Sequence, residues 1–223
     1  AHLDFARAQL DKMWELRKET NGQALIPYRH FDGGWSDYRP MNPIWAIQLW
    51  MMSNEEQDLE RVYRCGTRDA WNQAISPTYA GGNTKHFIAN TASWFQYIQG
   101  NNNDYPTEIL QANLTLVQSQ LETMRSPEGD PKNFDLDDPM GVHKWQELTP
   151  LILEGLVQLT LGAPMHLSHG GLQHGRVRYF DVANARPGLP EDVAACVERV
   201  DDASVTLSLV NLNAFESREV IIQ

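Results

Sequence analysis

Residues 42–56 read NPIWAIQLWMMSNEE and predict two helices joined by a very short connection. Asn42 is a favourable N-cap, and Pro43 fits the first helical position, where no backbone N–H is needed. The residues that follow are apolar nearly all round, which predicts a buried helix. Ser53 and Glu56 have the spacing of a capping box, which starts the next helix. Two helices joined so closely form an antiparallel helical hairpin.

Four further helices are predicted around this hairpin from apolar residues at three- and four-residue spacing. Gly100 and Gly162 follow two of these patterns as C-terminal stops, and Pro106 begins another. The predicted helices span residues 3–20, 43–52, 53–71, 84–99, 106–125 and 149–161. Beyond residue 162 the apolar pattern alternates instead. It predicts strands at residues 176–180, 205–210 and 219–222, with a short helix at 190–199.

These elements predict a mainly α fold of stacked antiparallel helical hairpins with a small C-terminal β-rich segment. We expect a helical-hairpin domain at residues 1–163 and a β-rich tail with one short helix at residues 164–223. Three strands are barely stable alone, so the tail is expected to pack on the helices, or to pair with another copy or with absent chain. The chain starts at Ala1 without a methionine and stops after an apolar run at residues 220–222, which indicates a piece of a longer protein.

The charge and composition of the chain exclude some partners. Its formal net charge of −11 argues against nucleic acid and against an anionic membrane surface, and it favours a neutral or cationic small ligand. No apolar run is long enough to span a bilayer, and cytoplasmic and secreted locations both stay open. The sequence has no Gly-rich phosphate loop and no other cofactor motif, so no cofactor is predicted. Cys65 and Cys196 fit either one disulfide or two buried thiols.

Long connections are expected to gather at one end of the molecule. If the six helices alternate in direction, the connections at residues 21–42, 72–83 and 126–148 share an end. Long loops on a rigid scaffold commonly carry functional sites. The first of them reads YRHFDGGWSDYR at residues 28–39. The second contains Tyr79, with His86 at the start of the following helix, and the third combines several acidic residues with His143 and Trp145. Seven Trp and seven Tyr also indicate rings available for stacking on sugars or other flat ligands.

The predicted hairpins and their aromatic, acidic connections resemble the helical-toroid carbohydrate-active enzymes, in which stacked helical hairpins accompany a β-sandwich. Such toroids contain more hairpins than the three predicted here, so a complete barrel is not expected. The resemblance implies a glycoside hydrolase-like cleavage of a sugar linkage in a cleft formed by the long connections. Residues 159–223, which include RVRYFD and VTLSLVNLNAFESREVIIQ, resemble bacterial proteins without an assigned activity, and this likeness implies no chemistry.

Glycoside hydrolysis needs two carboxyl groups, about 5 Å apart for retention of configuration and about 6.5–9.5 Å apart for inversion. Asp32 or Asp37 opposite Glu147 would supply this pair, although these acids also fit solvated surface positions and helix ends. The candidate catalytic residues are Asp37, Asp32, Glu147, His86 and His143. The candidate substrate-binding residues are Trp35, Tyr38, Arg39, Tyr79 and Trp145.

Two other saccharide functions fit the same residues. A polysaccharide lyase would use the tyrosines and histidines as base and acid, with Arg29 or Arg39 to neutralise the carboxylate of a uronic acid. The acidic net charge of the chain is unfavourable for such a polyanionic substrate. A non-catalytic sugar-binding or scaffold module of a larger protein would instead leave the acids exposed and far apart.

A metal site is the third alternative. His166, His169 and His174 lie within nine residues, and imidazole is a good ligand for zinc and similar metals. Their spacing matches no specific metal motif, and the glycines between them also fit a structural turn. We therefore predict no metal, with these three histidines as the alternative ligand set.

Overall fold

The computed structural model describes residues 1–66, 69–76, 88–135, 137–138, 148–164 and 174–223. The chain divides into two compact units, Ala1–Arg68 and Asp69–Gln223. The predicted mainly α fold of stacked hairpins is wrong, because 23% of the residues are in strands against 42% in helices. In the described part of the chain these strands form three small antiparallel sheets. The predicted domains, residues 1–163 and 164–223, stay a prediction.

Among its described residues, the first unit contains three helices and one three-stranded sheet, and the strands come between the first and second helices in the sequence. Its elements are α1 (His2–Glu15), β1 (Lys18–Thr20), β2 (Gln23–Phe31), β3 (Gly34–Pro40), α2 (Pro43–Ser53) and α3 (Glu56–Arg64). The strand order is β1-β2-β3, and both pairs are antiparallel. The three helices begin close to their predicted positions, but α1 ends five residues earlier than the predicted limit at residue 20, and α3 ends at Arg64 instead of near residue 71.

The predicted long connection at residues 21–42 is wrong, since most of it forms β2 and β3. The pair Asp32-Gly33 lies between two segments rich in aromatic and branched residues, which is a strong signal for a β-hairpin. Ile26 is 1% exposed and anchors the base of β2 in the core of this unit. In the described sheet β1 pairs only with residues 23–25 of β2. The outer half of the hairpin therefore has no third strand beside it among the described residues.

The junction between α2 and α3 differs in detail from the prediction. Asn42 accepts a hydrogen bond from the backbone N–H of Ile44 at 3.1 Å, which confirms the N-cap. The predicted capping box is wrong, because Glu55 is the N-cap of α3 and Ser53 Oγ instead accepts the N–H of Glu55. Asn54 ends α2 in the left-handed conformation, at φ 56°, so a true turn separates the two helices.

A network of ion pairs joins α1 to α3. Asp58 is fully buried and accepts hydrogen bonds from Arg7 at 2.7 Å and from Arg61 at 2.9 Å. Arg61 also pairs with Asp11 at 2.6 Å, and Arg64 pairs with the same carboxylate at 2.7 Å. A buried carboxylate is stable when it is paired and hydrogen-bonded, and here both conditions are met.

The second unit combines helices with two small sheets. Its elements are a 3₁₀ turn (Asp69–Asn72), α4 (Thr91–Ile98), α5 (Tyr105–Arg125), α6 (Glu154–Leu161), β4 (Tyr179–Asp181), β5 (Arg186–Pro187), β6 (Val193–Val200), β7 (Val205–Asn211) and β8 (Val220–Ile222). The strand orders are β5-β4-β8 and β6-β7. Gly162 ends α6 at φ 61°, as predicted. Among the helices that the structure describes, none combines the length and apolar character needed to cross a membrane.

The predicted short helix at residues 190–199 is wrong, because this segment forms β6. Val197 and Val200 are 0% and 1% exposed, so β-branched side chains along this strand are buried. β6 packs on α6 and α4. Tertiary burial of branched residues therefore prevails over the local helical pattern. The strands predicted at residues 205–210 and 219–222 are confirmed as β7 and β8.

Five of the tryptophans that the structure describes fall into two groups. Trp50, Trp71 and Trp94 are at most 3% exposed and belong to the cores of their units. Trp35 and Trp45 are 47% and 38% exposed. Large aromatic side chains normally contribute to stability by burial, so an exposed tryptophan marks a surface with another role.

Candidate functional site

The predicted catalytic and substrate-binding residues that the structure describes all lie on the β2–β3 hairpin. Asp32 is in its turn, and Trp35, Asp37, Tyr38 and Arg39 are on β3. Outside the described residues are Glu147, His86, His143, Tyr79 and Trp145. The predicted pairing of acids across a cleft therefore stays a prediction. The geometry of the candidate site is described for its residues on the hairpin.

One face of the hairpin carries aromatic rings. His30 pairs with Trp35 across the strands, and their rings make an edge-on contact with centroids 4.9 Å apart and planes at 80°. Side chains alternate along a strand, so Tyr28 lies on the same face, two residues from His30. Tyr28 and Trp35 are 49% and 47% exposed. Such a concentration of exposed rings is typical of an interaction surface.

The same face carries an ion pair beside the rings. Arg39 donates two hydrogen bonds to Asp37, from Nε to Oδ1 at 3.1 Å and from Nη2 to Oδ2 at 2.7 Å. Arg29 approaches the same carboxylate less closely, with Nε 3.5 Å from Oδ2. Hydrogen bonding and charge from Asp37 raise the pKa of Arg39 above its ordinary value.

Three cations of the first unit lie over aromatic rings. The guanidinium of Arg39 is 4.2 Å from the ring centroid of Tyr28, and the ammonium of Lys18 is 3.9 Å from that of Tyr38. Arg17 lies 4.7 Å from the ring centroid of Trp14. Cation–π contacts of this kind hold long side chains in defined positions at exposed sites.

We call the aromatic face of the hairpin, together with its ion pair, the hairpin surface. It consists of Tyr28, His30, Trp35, Asp37 and Arg39, with the guanidinium of Arg29 that reaches Asp37. Asp37 has a φ of 54°, in the left-handed region that non-glycine residues seldom adopt. The Arg39 clamp holds the Asp37 side chain in this unusual part of the strand.

The Asp37 carboxylate is poorly placed for proton transfer or nucleophilic attack. Its two oxygens already accept hydrogen bonds from Arg39, so catalysis would require this pair to open. Asp32 is exposed in the turn between the strands. The described geometry of the hairpin therefore fits recognition of a ligand better than acid–base chemistry.

A buried acid in the second unit was missed by the sequence reasoning. Glu154 is 2% exposed, and its Oε1 accepts the backbone N–H of Ile88 at 2.8 Å. Burial raises the pKa of Glu154, although backbone donors at Ile88 and Ala89 oppose the rise. Asn113 accepts the N–H of Gly155 at 3.1 Å beside it. Because the carboxyl group is enclosed, we assign it a structural role in joining the segment at Ile88 to α6.

A cleft of about 910 Å³ in the second unit is a second concave feature. One side of it is α5, and the other is the segment around residues 72–76 with Ile88. Its described lining residues are Asn72, Gln73, Ala74, Ile75, Ser76, Ile88, Glu108, Gln111, Ala112, Thr115, Leu116 and Ser119. No aromatic ring is among them, so the described walls offer no stacking platform. The hairpin surface is the better candidate for a sugar.

The alternative metal site is described for one residue alone. His174 lies in the described chain, and burial followed by the charge of Arg176 lowers its pKa. His166 and His169 lie outside the described residues. Within the residues that are described, no group of three or more His, Cys, Asp or Glu side chains could hold a metal ion. Cys65 and Cys196 are both free thiols.

Comparison with known proteins gives one match. A family model described as a domain of unknown function (DUF8034) matches residues 1–157. The matched segment contains the whole hairpin surface and ends within α6. No curated protein and no solved structure matches the chain. The likeness to helical-toroid enzymes therefore stays a prediction as far as activity is concerned.

Proposed function

We propose that this chain, which belongs to the DUF8034 family, binds saccharides through its hairpin surface. The observation that carries the proposal is the position of Trp35, which is 47% exposed on a two-stranded ribbon and in edge-on contact with His30. Three other tryptophans of the chain are at most 3% exposed. Trp45 on α2 is also exposed, at 38%, but Trp35 is the more exposed of the two and lies beside other exposed rings of the hairpin.

Saccharides are the ligand class that best matches this combination of groups. The C–H face of a pyranose ring is apolar and stacks on an aromatic ring, while its hydroxyl groups need hydrogen-bond partners at the edge. Trp35 and Tyr28 supply rings, and His30 and the Asp37–Arg39 pair supply donors and acceptors on the same face. A purely apolar ligand would leave these polar groups without partners.

Cleavage of the bound saccharide stays a prediction from the sequence. It would require Asp32 or Asp37 to act with Glu147, and binding requires no such pair. The proposal of saccharide binding is therefore independent of hydrolysis or elimination. Incubating the chain with whichever saccharide it binds, and measuring new reducing ends and unsaturated products, distinguishes a binding module from a hydrolase and a lyase.

Binding is tested on the full chain with a panel of neutral and acidic oligosaccharides, followed by calorimetric titration. Trp35→Ala is expected to weaken binding about tenfold or more, the equivalent of about 1.4 kcal/mol. Phe5→Ala is the matched control, because Phe5 is also an exposed ring, 66% exposed, but lies on α1.

Two results would reject the proposal. One is a folded chain that binds no saccharide of the panel. The other is saccharide binding that Trp35→Ala leaves unchanged, or that Phe5→Ala weakens equally. Circular dichroism of each variant ensures that any loss of binding is not a loss of fold.

A further inference from the structure

We infer that the hairpin surface selects acidic saccharides, and that Arg29 binds the carboxylate of a uronic-acid residue. This inference rests on the proposed saccharide-binding function and adds the chemical class of the ligand. Three features support it: the local charge of the hairpin, the pairing of its two arginines with one carboxylate, and the contact of Arg39 with a ring.

The charge of the chain is unevenly distributed between its two units. Residues 1–68 contain nine Lys or Arg and ten Asp or Glu, while residues 69–223 contain nine and nineteen. Residues 17–40, which include the whole sheet of the first unit, carry four Lys or Arg and three Asp or Glu. The hairpin itself, residues 23–40, carries two Arg and two Asp, so its local charge is balanced and the net charge of −11 does not describe it. Charges further away than about 8 Å are largely screened at physiological ionic strength.

The two arginines of the hairpin surface share one carboxylate unequally. Arg39 makes both of its contacts to Asp37 in the side-by-side geometry that guanidinium and carboxylate groups prefer. The one ion pair of Arg29 among the described residues is the 3.5 Å approach to Asp37, and its side chain is 57% exposed. One negative charge cannot neutralise two guanidinium groups. Arg29 is therefore the cation of this surface with donors to spare.

The spare guanidinium of Arg29 is connected to a ring through two ion pairs. Asp37 contacts Arg29 and Arg39, and Arg39 lies 4.2 Å from the ring centroid of Tyr28. By alternation Arg29 starts from the opposite face of β2 to Tyr28 and His30, but its guanidinium comes within 3.5 Å of Asp37 and is so connected to the aromatic face through Asp37 and Arg39. A pyranose ring that stacks on this face can direct a carboxylate substituent to Arg29. The planar fork of a guanidinium matches a carboxylate in a two-bond arrangement.

A neutral saccharide would be a poorer ligand for the same surface. It would remove water from Arg29 without supplying a negative charge in return, and an uncompensated cation at an interface is unfavourable. A uronate supplies that charge. The surface is expected to favour an acidic oligosaccharide over a neutral one of equal length.

The test compares an oligogalacturonate with a neutral oligoglucan of the same length, each titrated into the full chain by calorimetry. The unmodified chain is expected to bind the oligogalacturonate more tightly. Arg29→Gln is expected to weaken that binding at least about tenfold, because hydrogen bonds between charged groups are the stronger class. Binding of the oligoglucan is expected to change less than about twofold. Lys12→Gln is the control, since it makes the same charge change on α1, where Lys12 pairs with Glu15.

Four outcomes bear on the inference. The inference is supported if Arg29→Gln weakens binding of the oligogalacturonate but not of the oligoglucan, and Lys12→Gln changes neither. Equal or tighter binding of the neutral oligoglucan by the unmodified chain overturns it, although the proposed saccharide-binding function survives. Equal losses in Arg29→Gln and Lys12→Gln also overturn it, because the effect would then come from net charge alone. A chain that binds neither oligosaccharide rejects the proposed function as well.

Discussion

Arg39 holds the carboxylate of Asp37 with two hydrogen bonds, at 3.1 Å from Nε to Oδ1 and 2.7 Å from Nη2 to Oδ2. Both oxygens of Asp37, the first of the candidate catalytic acids predicted from the sequence, are therefore engaged in an ion pair. It also leaves Arg29 with one distant contact to the same carboxylate, at 3.5 Å. The ion pair therefore favours ligand recognition over cleavage as the role of this surface. It also means that Asp37 competes with an acidic ligand for the two arginines.

Asp37→Asn is therefore expected to strengthen the binding of an oligogalacturonate severalfold, because it removes the carboxylate that competes for the two arginines. Calorimetric titration measures this change. The midpoint of thermal unfolding should hardly change, since exposed ion pairs contribute little to the free energy of unfolding. A catalytic role for Asp37 leads to a different result, in which cleavage stops and binding stays the same or weakens.

The binding of an acidic saccharide is expected to depend on salt. Raising the ionic strength from about 0.1 M to about 1 M shortens the Debye length from about 10 Å to about 3 Å and weakens the attraction of exposed charges. Titrations of the full chain with the oligogalacturonate over this range should show a falling affinity, and Arg29→Gln should show a smaller salt dependence. An affinity that does not change with salt would argue that the carboxylate is not recognised by charge.

Asp58→Asn is expected to destabilise the first unit by about 3–5 kcal/mol, since it leaves the guanidinium groups of Arg7 and Arg61 partly buried without their shared anion. Hydrogen exchange in peptides from α1 and α3 measures the local free energy of opening. Asp4→Asn is the control, because Asp4 also contacts Arg7 but its side chain is 74% exposed. Similar small effects from both substitutions would mean that the buried network does not hold α1 on α3.

The same network predicts how the first unit responds to acid. Burial alone would raise the pKa of Asp58, but hydrogen bonds from Arg7 and Ser53, with the nearby positive charges, lower it below the ordinary value of 3.8. The pKa of Asp11 is lowered too, chiefly by hydrogen bonding to Arg61. Carboxyl groups with a lowered pKa stabilise the folded state above the unfolded value and lose this effect as the pH falls.

Protection of α1 and α3 from hydrogen exchange, expressed as a free energy, should therefore be steady above about pH 4 and should fall below it. Asp58→Asn should flatten this fall. Unchanged protection down to the lowest accessible pH would contradict the assignment of the ion pairs as stabilising.

The second unit should respond to pH in the opposite direction. Burial raises the pKa of Glu154 above its ordinary value of 4.5, so the folded state holds a proton that the unfolded chain has already lost. The free energy of unfolding of this unit should decrease as the pH rises from about 4.5 through the raised pKa of the folded state. Hydrogen exchange in peptides from α5 and α6 measures it.

Two substitutions separate the charge of Glu154 from its hydrogen bonds. Glu154→Gln should remove the pH dependence while its amide oxygen still accepts the N–H of Ile88. Glu154→Ala should cost about 1–3 kcal/mol at every pH, because buried backbone donors lose their acceptor. Glu108→Gln, an exposed change on α5, is the control. The assignment would be wrong if Glu154→Gln were as damaging as Glu154→Ala.

Helices were easier to predict than strands in this chain. Asn42 and Pro43 specify the start of α2 through local geometry, and Gly162 specifies the end of α6, so these boundaries are readable without the rest of the fold. The strand at Val193–Val200 depends on the burial of Val197 and Val200 in the second unit, which no local pattern reports.

The candidate site was predicted in part. Trp35, Tyr38, Asp37 and Arg39 were selected because acidic, basic and aromatic residues are concentrated there, and the hairpin does bring several of them together. The pairing of Asp37 with Arg39 was not foreseen, because the segment was interpreted as a loop and no register was assigned to it. The Asp32-Gly33 turn signal would have given that register.

Saccharide binding at the hairpin surface is tested most directly by NMR. The indole N–H signal of Trp35 is followed while the full chain is titrated with an oligosaccharide. The chain has seven tryptophans, and the loss of one signal in Trp35→Phe assigns Trp35 among them. Saccharide binding at the hairpin surface predicts that the Trp35 signal shifts the most, while buried Trp50 and Trp94 stay nearly constant. Binding that leaves the Trp35 signal unmoved would contradict the proposed function.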